Sequence, residues 1–460
     1  MDWWSRSRFT ASSFPPPRKI SNPVHNLARV RLIVSTKAAT ADVTIDGPTI
    51  ASYLSTVIAG APSVRSSQTG QTLRVSRNVA GQAAEARFDI IVAGISSRGW
   101  VAWNVTSDSK AETDLEIYSL RQVDRPRLVD RFKSTEIIAE FHTPAAQLAS
   151  SGRLSVDTMP RLILAHYYPW YTADTWRDPQ MADSPLRLYS TDEQSDVNEQ
   201  AQAARAAGID GFVVSWQGKE AGNGFNDGRM RLVLEAGRRS GLKACMYTET
   251  FVANRGNVWG DPIDPTVMFD WLAEIVDMYG GHPAYLRVDG RPVIFIYAAS
   301  LVPQSEWVNV FARLRASGRN PLLIGDFVRS TLLEPFDGEY QYTNVRLSAD
   351  QVLENYRTES LRVRTYHLLR PGDRRRIWIA AVTPGYDDLR LIGRQTPFTI
   401  DRLNGRVYDD QWRAAIDTGA DWVIVTSWNE WWENTEIEPG KRYGRTFLDR
   451  TRVWASAFKR

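Results

Sequence analysis

The chain has 460 residues, enough for two or three domains or for one large barrel with an accessory module. It is 43% hydrophobic and 24% charged, which excludes a largely disordered chain, and 56 Lys+Arg against 53 Asp+Glu leave +3, too near balance for nucleic acid as the main partner. A single cysteine, Cys245, excludes an internal disulfide framework and a cysteine-based zinc cluster, and no stretch nears about 18 uninterrupted apolar residues, so no membrane span is expected.

Residues 1–27 read as an irregular tail that mixes Arg and Ser with Phe14-Pro15-Pro16-Pro17. The tail lacks the apolar core of a secretory signal. From Ala28 the pattern turns to short alternating runs. Val30, Leu32 and Val34 alternate with Arg29, Arg31 and Ser35, and further runs occur at Ala41–Gly47, Thr72–Arg77, Ala86–Gly94, Gly99–Ser107, Asp114–Leu120 and Ile137–His142. Seven such strands between Gly, Ser, Asn and Asp predict an antiparallel β-sandwich over 28–143. This accessory domain either binds carbohydrate or buttresses the C-terminal domain. Residues 144–160, with Ser150-Ser151-Gly152, read as a linker. Asn104-Val105-Thr106 fits a glycosylation sequon, a short match that carries little weight inside a strand.

Beyond Pro160 the strand signals become continuous apolar runs, the kind buried on both faces of a parallel sheet. They are Leu162–Trp170, Ile209–Trp216, Leu242–Thr248, Val293–Ala298, Leu322–Phe327, Gly338–Tyr342, Ile377–Val382 and Trp422–Trp428. Helical segments alternate with them at Glu193–Ala207, Met230–Ser240, Thr266–Tyr279, Ser305–Ser317, Ala349–Leu369, Gly405–Thr418 and Phe447–Phe458. Eight strands with alternating helices over 161–460 predict a (β/α)8 TIM barrel of the α/β class. An open doubly wound sheet is the competitor, but no Gly-x-Gly-x-x-Gly turn comes after any strand.

A barrel localises the chemistry, because reacting groups sit at the C-terminal strand ends. Those ends carry Tyr167, Tyr168, Trp170, Trp216, Glu249, Tyr297, Asp326, Tyr342, Tyr386 and Asp387, and finally Trp428, Asn429, Glu430, Trp431, Trp432 and Glu433. Thirteen of the 17 Trp also lie beyond residue 156. Flat aromatic faces and carboxylates suit a sugar ring better than a phosphate or a metal.

Glycosidic cleavage needs one carboxylic acid and one carboxylate. Glu430 and Glu433 are three apart, so a helical turn after the eighth strand would bring their Cβ atoms to about 5–6 Å. Two carboxylates that close in a Trp-rich surround cannot both ionise freely, and one pKa should rise. A purely structural reading has them cap a helix or pair with Arg442. The five His share no ligand-like spacing, although Glu430, Glu433, Glu436 and Glu438 leave an oxygen site for Ca²⁺ or Mg²⁺ open. No metal or cofactor is expected. No Gly-x-Ser-x-Gly elbow occurs, and Cys245 reads as a small buried residue.

These residues also carry a resemblance. His166-Tyr167-Tyr168-Pro169-Trp170-Tyr171, Gly208-Ile209-Asp210-Gly211-Phe212 with Trp216, and Gly281-His282-Pro283-Ala284-Tyr285 resemble motifs of glycoside hydrolase family 99. So do Asp289-Gly290-Arg291-Pro292-Val293 and the long run from Thr426 to Pro439 around Trp428-Asn429-Glu430-Trp431-Trp432-Glu433. The resemblance spans Arg161 to Tyr443, the barrel and not the sandwich. It implies a retaining, metal-independent enzyme acting within α-linked, mannan-like glycans on a (β/α)8 barrel. It further implies that Glu430 deprotonates the sugar's own 2-hydroxyl, which closes to a 1,2-anhydro intermediate, while Glu433 protonates the leaving group. Glu249 and Trp216 resemble residues at the reacting sugar, and His282 a substrate contact.

Two departures lie beside the cleft. The family usually has His-Glu-Gly where this chain has Trp432, Glu433 and Asn434, and usually Gly where Thr172 stands. A glycosyltransferase-like enzyme on the same barrel and a non-catalytic glycan-binding protein stay open as alternatives. The expected partner is an oligo- or polysaccharide, which points to a secreted or periplasmic setting. The sequence gives no oligomeric state.

Overall fold

A computed structural model of the chain describes residues 27–46, 49–59, 64–69, 72–77, 83–93, 100–107, 113–120, 127–134, 138–144, 159–218, 225–254, 263–327, 334–369 and 374–460. The expected tail, apart from Leu27, and most of the expected linker lie outside these residues. The chain divides into two compact units. Among the described residues, one groups those of 27–144 with those of 358–376, and the other holds those of 159–357 and 377–460. The segment 358–376 lies inside the range expected for the barrel, yet it groups with the N-terminal unit.

The first unit is two antiparallel sheets. One has the order β3-β6-β1-β8-β9, built from β1 (Leu27–Thr36), β3 (Thr49–Ala59), β6 (Ala84–Ala93), β8 (Thr113–Ser119) and β9 (Arg127–Ser134). The other has the order β10-β7-β2-β5-β4, from β2 (Thr40–Asp46), β4 (Val64–Thr69), β5 (Thr72–Arg77), β7 (Trp100–Ser107) and β10 (Ile138–Pro144). In β1 and in most of β6, buried and half-buried residues alternate, as expected where one face meets a core. Val30, Leu32 and Val34 of β1, Ala41 and Val43 of β2, Leu73 and Val75 of β5, and Phe88 and Ile90 of β6 share that core, so the sheets stack as a sandwich. The outer face of the first sheet is apolar too. There Leu27, Ala51, Ile91 and Ala93 pack with Leu361, Leu368 and Leu369, and Ser52 bonds Thr365 at 3.0 Å. This contact explains why segment 358–376 joins the unit.

The second unit is a closed barrel. Its strands are β11 (Leu162–Tyr167), β12 (Gly211–Trp216), β13 (Lys243–Glu249), β15 (Arg291–Tyr297), β16 (Leu322–Asp326), β17 (Gly338–Tyr340), β18 (Ile377–Val382) and β21 (Trp422–Val425). All eight pair in parallel, with β13 beside β15 and β21 beside both β18 and β11. β14 (Arg287–Val288) adds an antiparallel rung to β15, and β19 (Tyr386–Asp387) with β20 (Thr399–Ile400) forms a small hairpin after β18. β12 and β18 are buried at every position, which is why their runs are apolar without alternation. The helices are α1 (Gln194–Ala206), α2 (Phe225–Ser240), α3 (Pro265–Met278), α4 (Gln304–Ala316), α5 (Ala349–Thr365), α6 (Arg406–Asp417) and α7 (Thr446–Phe458). α3 starts as its sequence directs, with Pro265 in the first turn and the Asp264 carboxylate accepting the Thr266 N–H at 2.8 Å. The barrel is thus a (β/α)8 TIM barrel, and its C-terminal end is where most of the expected site residues gather.

Candidate active site

Glu430 and Glu433 stand on the segment after β21. The expected helical turn is not what carries them. Residues 427–435 form a closed, non-helical loop instead, because polar side chains capture the backbone groups a helix would use. The Ser427 N–H donates to the Thr435 carbonyl at 2.9 Å, the two hydroxyls meet at 2.8 Å, and the Glu430 N–H donates to Ser427 Oγ at 2.7 Å. Asn434 takes the left-handed conformation (φ 49°) that reverses the chain. Farther on, a Cβ at Gly440 would lie 2.8 Å from Asp183 Oδ2 and 3.0 Å from the Trp431 ring, so only glycine lets the chain pass that closely there.

Arg402 braces this loop from beneath. Its buried guanidinium donates to the carbonyls of Asn434 (2.8 Å) and Glu436 (2.9 Å) and to Glu436 Oε1 (2.6 Å). It lies 4.2 Å from the Tyr443 ring centroid and 4.5 Å from that of Phe447. Even so, burial pushes Glu436 up to about 7. Glu438 is also pushed up to about 7 by burial, and it accepts from Gln200 (2.7 Å), Tyr189 (3.1 Å) and Trp431 Nε1 (3.1 Å). The four glutamates of the run therefore face separate partners and do not converge as one oxygen cage, and among the described residues no metal-competent cluster occurs.

Glu430 is buried, and its hydrogen-bond partners among the described residues are neutral. Its Oε1 accepts from the Tyr171 hydroxyl at 3.0 Å and from the Trp432 N–H at 3.1 Å, and the Tyr171 oxygen in turn accepts from the Trp431 N–H at 2.9 Å. Burial, then repulsion from Glu433, holds the Glu430 carboxyl well above the usual carboxylate range. Glu433 is also raised by burial, but Arg394 pulls the other way. Arg394 Nη2 pairs with Glu433 Oε1, and its Nε lies 3.3 Å from Asp388 Oδ2. The cation beside the pair is thus Arg394. The Arg442 guanidinium sits 5.2 Å from the Tyr443 ring, and the Arg442 backbone N–H bonds Asp183.

Glu249 ends β13 nearby. Its Oε1 accepts from Ser215 at 2.6 Å, and burial lifts it to about 7 with a further contribution from Glu433. Tyr168, whose hydroxyl meets that of Tyr342 at 2.6 Å, feels the charges of Glu430, Glu249 and Glu433 together. Tyr297 packs 5.2 Å from Tyr342 and 5.4 Å from Tyr247, and feels Glu433 and Glu249. Trp170, 4.7 Å from the Tyr168 ring, is half-buried with Trp176 and Trp432 around the buried Tyr171 and Trp431. Beneath them His166 is buried, its Nδ1 is 3.1 Å from Thr426 Oγ1, and burial lowers it to about 3, so it is neutral.

Other expected contacts lie elsewhere. Tyr167 and Trp216 point out of the barrel wall, since side chains alternate along a strand and His166 and Ser215 take the inner side. Tyr167 bonds Gln200 of α1 at 2.7 Å, and Trp216 packs edge-on to Trp271 of α3. Trp428 is fully buried near Phe212, and Trp431 is fully buried as well. The Asn429 carboxamide is engaged by Tyr168, accepting its N–H at 2.8 Å and donating to its carbonyl at 3.0 Å. His282 does not reach the carboxylates. It lies between α3 and β15, at the N-terminal end of the strands, where its Nδ1 accepts the Ala284 N–H at 3.1 Å. In this structure His282 closes a turn, away from the two carboxylates. Sequence reading missed Arg394, Asp388, Trp176 and Ser215. For Ser215 the inward position next to Trp216 was a usable signal, and for Arg394 none existed.

Comparison with known proteins agrees with this geometry. Residues 183–451, more than half of the chain, match the model of Glycosyl hydrolase family 99. A glycoprotein endo-alpha-1,2-mannosidase of Rattus norvegicus is 26% identical over 309 residues, covering 60% of this chain and 63% of the relative, so the chain spans less than two thirds of that protein's length. The Mus musculus enzyme of that name is 25% identical over 381 residues, covering 68% of this chain and 79% of the relative. A solved family 99 endo-alpha-mannosidase from Bacteroides thetaiotaomicron, in complex with bis-tris-propane, is 26% identical with a TM-score of 0.55 and covers 65% of this chain and 98% of its own. The chain belongs to glycosyl hydrolase family 99.

Proposed function

We propose that the protein is a retaining glycoside hydrolase that cuts within α-mannosyl glycans, with Glu430 as base and Glu433 as acid. The observation that carries this reading is a pair of mutually repelling carboxylates, Glu430 buried and Glu433 half-buried, on one loop at the C-terminal end of a family 99 barrel. Repulsion within such a pair opposes ionisation of both groups at once, which suits a division into one acid and one base.

In the first step Glu430 takes the proton of the sugar's 2-hydroxyl as that oxygen bonds to the anomeric carbon. The bond from that carbon to the departing oxygen breaks, its electrons go to the oxygen, and Glu433 supplies the proton. In the second step Glu433, now a carboxylate, takes a proton from water whose oxygen attacks the anomeric carbon. The epoxide opens, and Glu430 returns its proton to O2. The two inversions give net retention. Each step moves one proton in and one out of the pair, so the net charge of the pair is the same before and after it. Burial penalises a change of charge far more than a change of its position. Tyr171 fixes the Glu430 carboxyl, and Trp170, Trp176 and Trp432 offer flat faces beside it.

The test is incubation with α-mannan and with α-1,2-linked mannosyl oligosaccharides, the linkage named for the mammalian relatives. Turnover by the wild type and none by Glu433→Gln supports the reading. Binding without turnover by the wild type overturns it in favour of a glycan-binding protein, and turnover only with an activated sugar donor overturns it in favour of transfer.

A further inference from the structure

Arg394 lies between β19 and β20, on the loop that closes their hairpin. That loop is fixed at both ends. At its base the Phe398 N–H donates to Asp388 Oδ1 at 2.7 Å, and the Phe398 ring stacks on Tyr386 at 4.3 Å. At its tip the Ile392 N–H donates to Gln180 Oε1 at 2.8 Å and Arg390 to the Met181 carbonyl at 3.0 Å. The Asp387 N–H donates to the Glu433 carbonyl at 2.9 Å, and Asn434 Nδ2 to the Asp387 carbonyl at 2.8 Å. The hairpin and the carboxylate loop are therefore one stitched assembly.

From that assembly we propose that Arg394, aimed by Asp388, is a positioning residue that selects where the shared proton of the carboxylate pair resides, favouring Glu433 as the carboxylate. This inference rests on reading Glu433 as the acid of the first step and the base of the second. The geometry is one-sided: the guanidinium pairs with Glu433, whereas Glu430 Oε1 meets a phenol and an amide. The groups facing Glu433 are Arg394, Tyr386 and Asp388 from the hairpin, Glu430 from its own loop, Glu249 from β13, and Tyr168, Tyr297 and Tyr342 from the other strand ends. Arg394 is the cation in this set. Glu430, Glu249 and Asp388 oppose ionisation of Glu433, and Asp388 also holds Arg394 in place.

The consequence falls unequally on the two steps. A cation on Glu433 opposes its protonation, which the first step needs, and supports its carboxylate, which the second step needs as base. Glu433 is raised by burial and lowered by Arg394, in keeping with a group poised between both duties. The arginine side chain is 43% exposed, so a bound sugar can reach its free N–H groups without unfolding the loop.

The experiment compares Arg394→Met and Arg394→Lys with the wild type in pH profiles of kcat/KM and kcat, with thermal unfolding of each to report on folding. With Arg394→Met the alkaline limb of kcat/KM is expected to move up by about one pH unit, since an opposite charge is lost from beside the acid. With substrates bearing good leaving groups, kcat should fall more than kcat/KM, because the second step loses its supported base. Arg394→Lys should restore the wild-type limb. A limb that stays in place or moves down in Arg394→Met overturns the inference, however large the loss of rate, and identifies Arg394 as a brace only. Glu433→Gln run alongside separates the two claims. Its loss of turnover upholds the acid assignment whatever the Arg394 variants do, and turnover retained overturns that assignment and the inference with it.

Discussion

In the β unit, Asp89 meets Arg31 at 2.6 Å and Asp42 meets Arg74 at 2.7 Å, each as a two-pronged pair across neighbouring strands with solvent still in reach. At the C-terminal end of the barrel, Glu249, Glu430, Asp326 and Glu438 are buried and meet hydroxyls, backbone amides, a carboxamide and an indole N–H instead. Both regions are well hydrogen-bonded. In the second, burial outweighs the partners, so that Glu249, Asp326 and Glu438 are pushed up to about 7. These two sandwich acids are neutralised by arginines, whereas these strand-end acids of the barrel are kept where a proton is easily taken up or released near neutrality. Arg394 and Arg402 combine the two regimes, each a cation set beside a glutamate of the Glu430–Glu436 segment.

The sharpest way to break this contrast is Glu430→Gln. A structural acid would be replaced quietly, whereas a reacting one should cost about 10²–10⁴-fold in turnover on α-mannan with the unfolding midpoint unchanged or higher. Next, Arg402→Met leaves Glu436 buried without its cation and should destabilise the barrel unit by about 3–5 kcal/mol in urea unfolding. The loss should be smaller at pH 5 than at pH 8, because protonated Glu436 no longer needs the arginine. Glu249→Gln tests the raised acids directly. A carboxyl whose folded pKa of about 7 exceeds its unfolded value of about 4.3 stabilises the fold fully below the lower value, and that stability is lost as pH rises through the window to the upper one. The wild type should therefore lose up to about 1.4 kcal/mol per pH unit across it relative to the Gln variant, measured as midpoint against pH. Smallest of all, Asp89→Asn in the sandwich should cost about 1 kcal/mol or less in urea unfolding.

The same contrast decided what could be read in advance. The barrel strands were legible because burial on both faces writes continuous apolar runs such as Gly211–Trp216 and Ile377–Val382. In the sandwich, Thr49–Ala59 escaped notice because register shifts between Ile50 and Ser52 and between Val57 and Ala59 interrupt the two-residue period that identifies a half-buried strand. Val64–Thr69 is a polar strand at the edge of its sheet, with only Val64 apolar, and offers no pattern at all. In the site, Glu430 and Glu433 were legible as a spaced pair in aromatic company. Tyr167 and Trp216 face outward, which strand parity shows and aromatic identity does not, and the turn that holds His282 lies at the other end of the barrel, which its motif does not show. Arg394 had no signature, because its partner is 39 residues away and only the hairpin brings them together.

Asn429 gives the carboxylate loop a property that the carboxylates alone do not explain. By offering Tyr168 both an acceptor and a donor, its side chain imitates a peptide group of an adjoining strand and prolongs the seam between the first and last staves of the barrel beyond Val425. The loop thereby inherits the stiffness of the wall it leaves. An aspartate in that position would set oxygen against oxygen at the Tyr168 carbonyl and unzip the seam one rung early, letting the two carboxylates drift apart although neither had been altered.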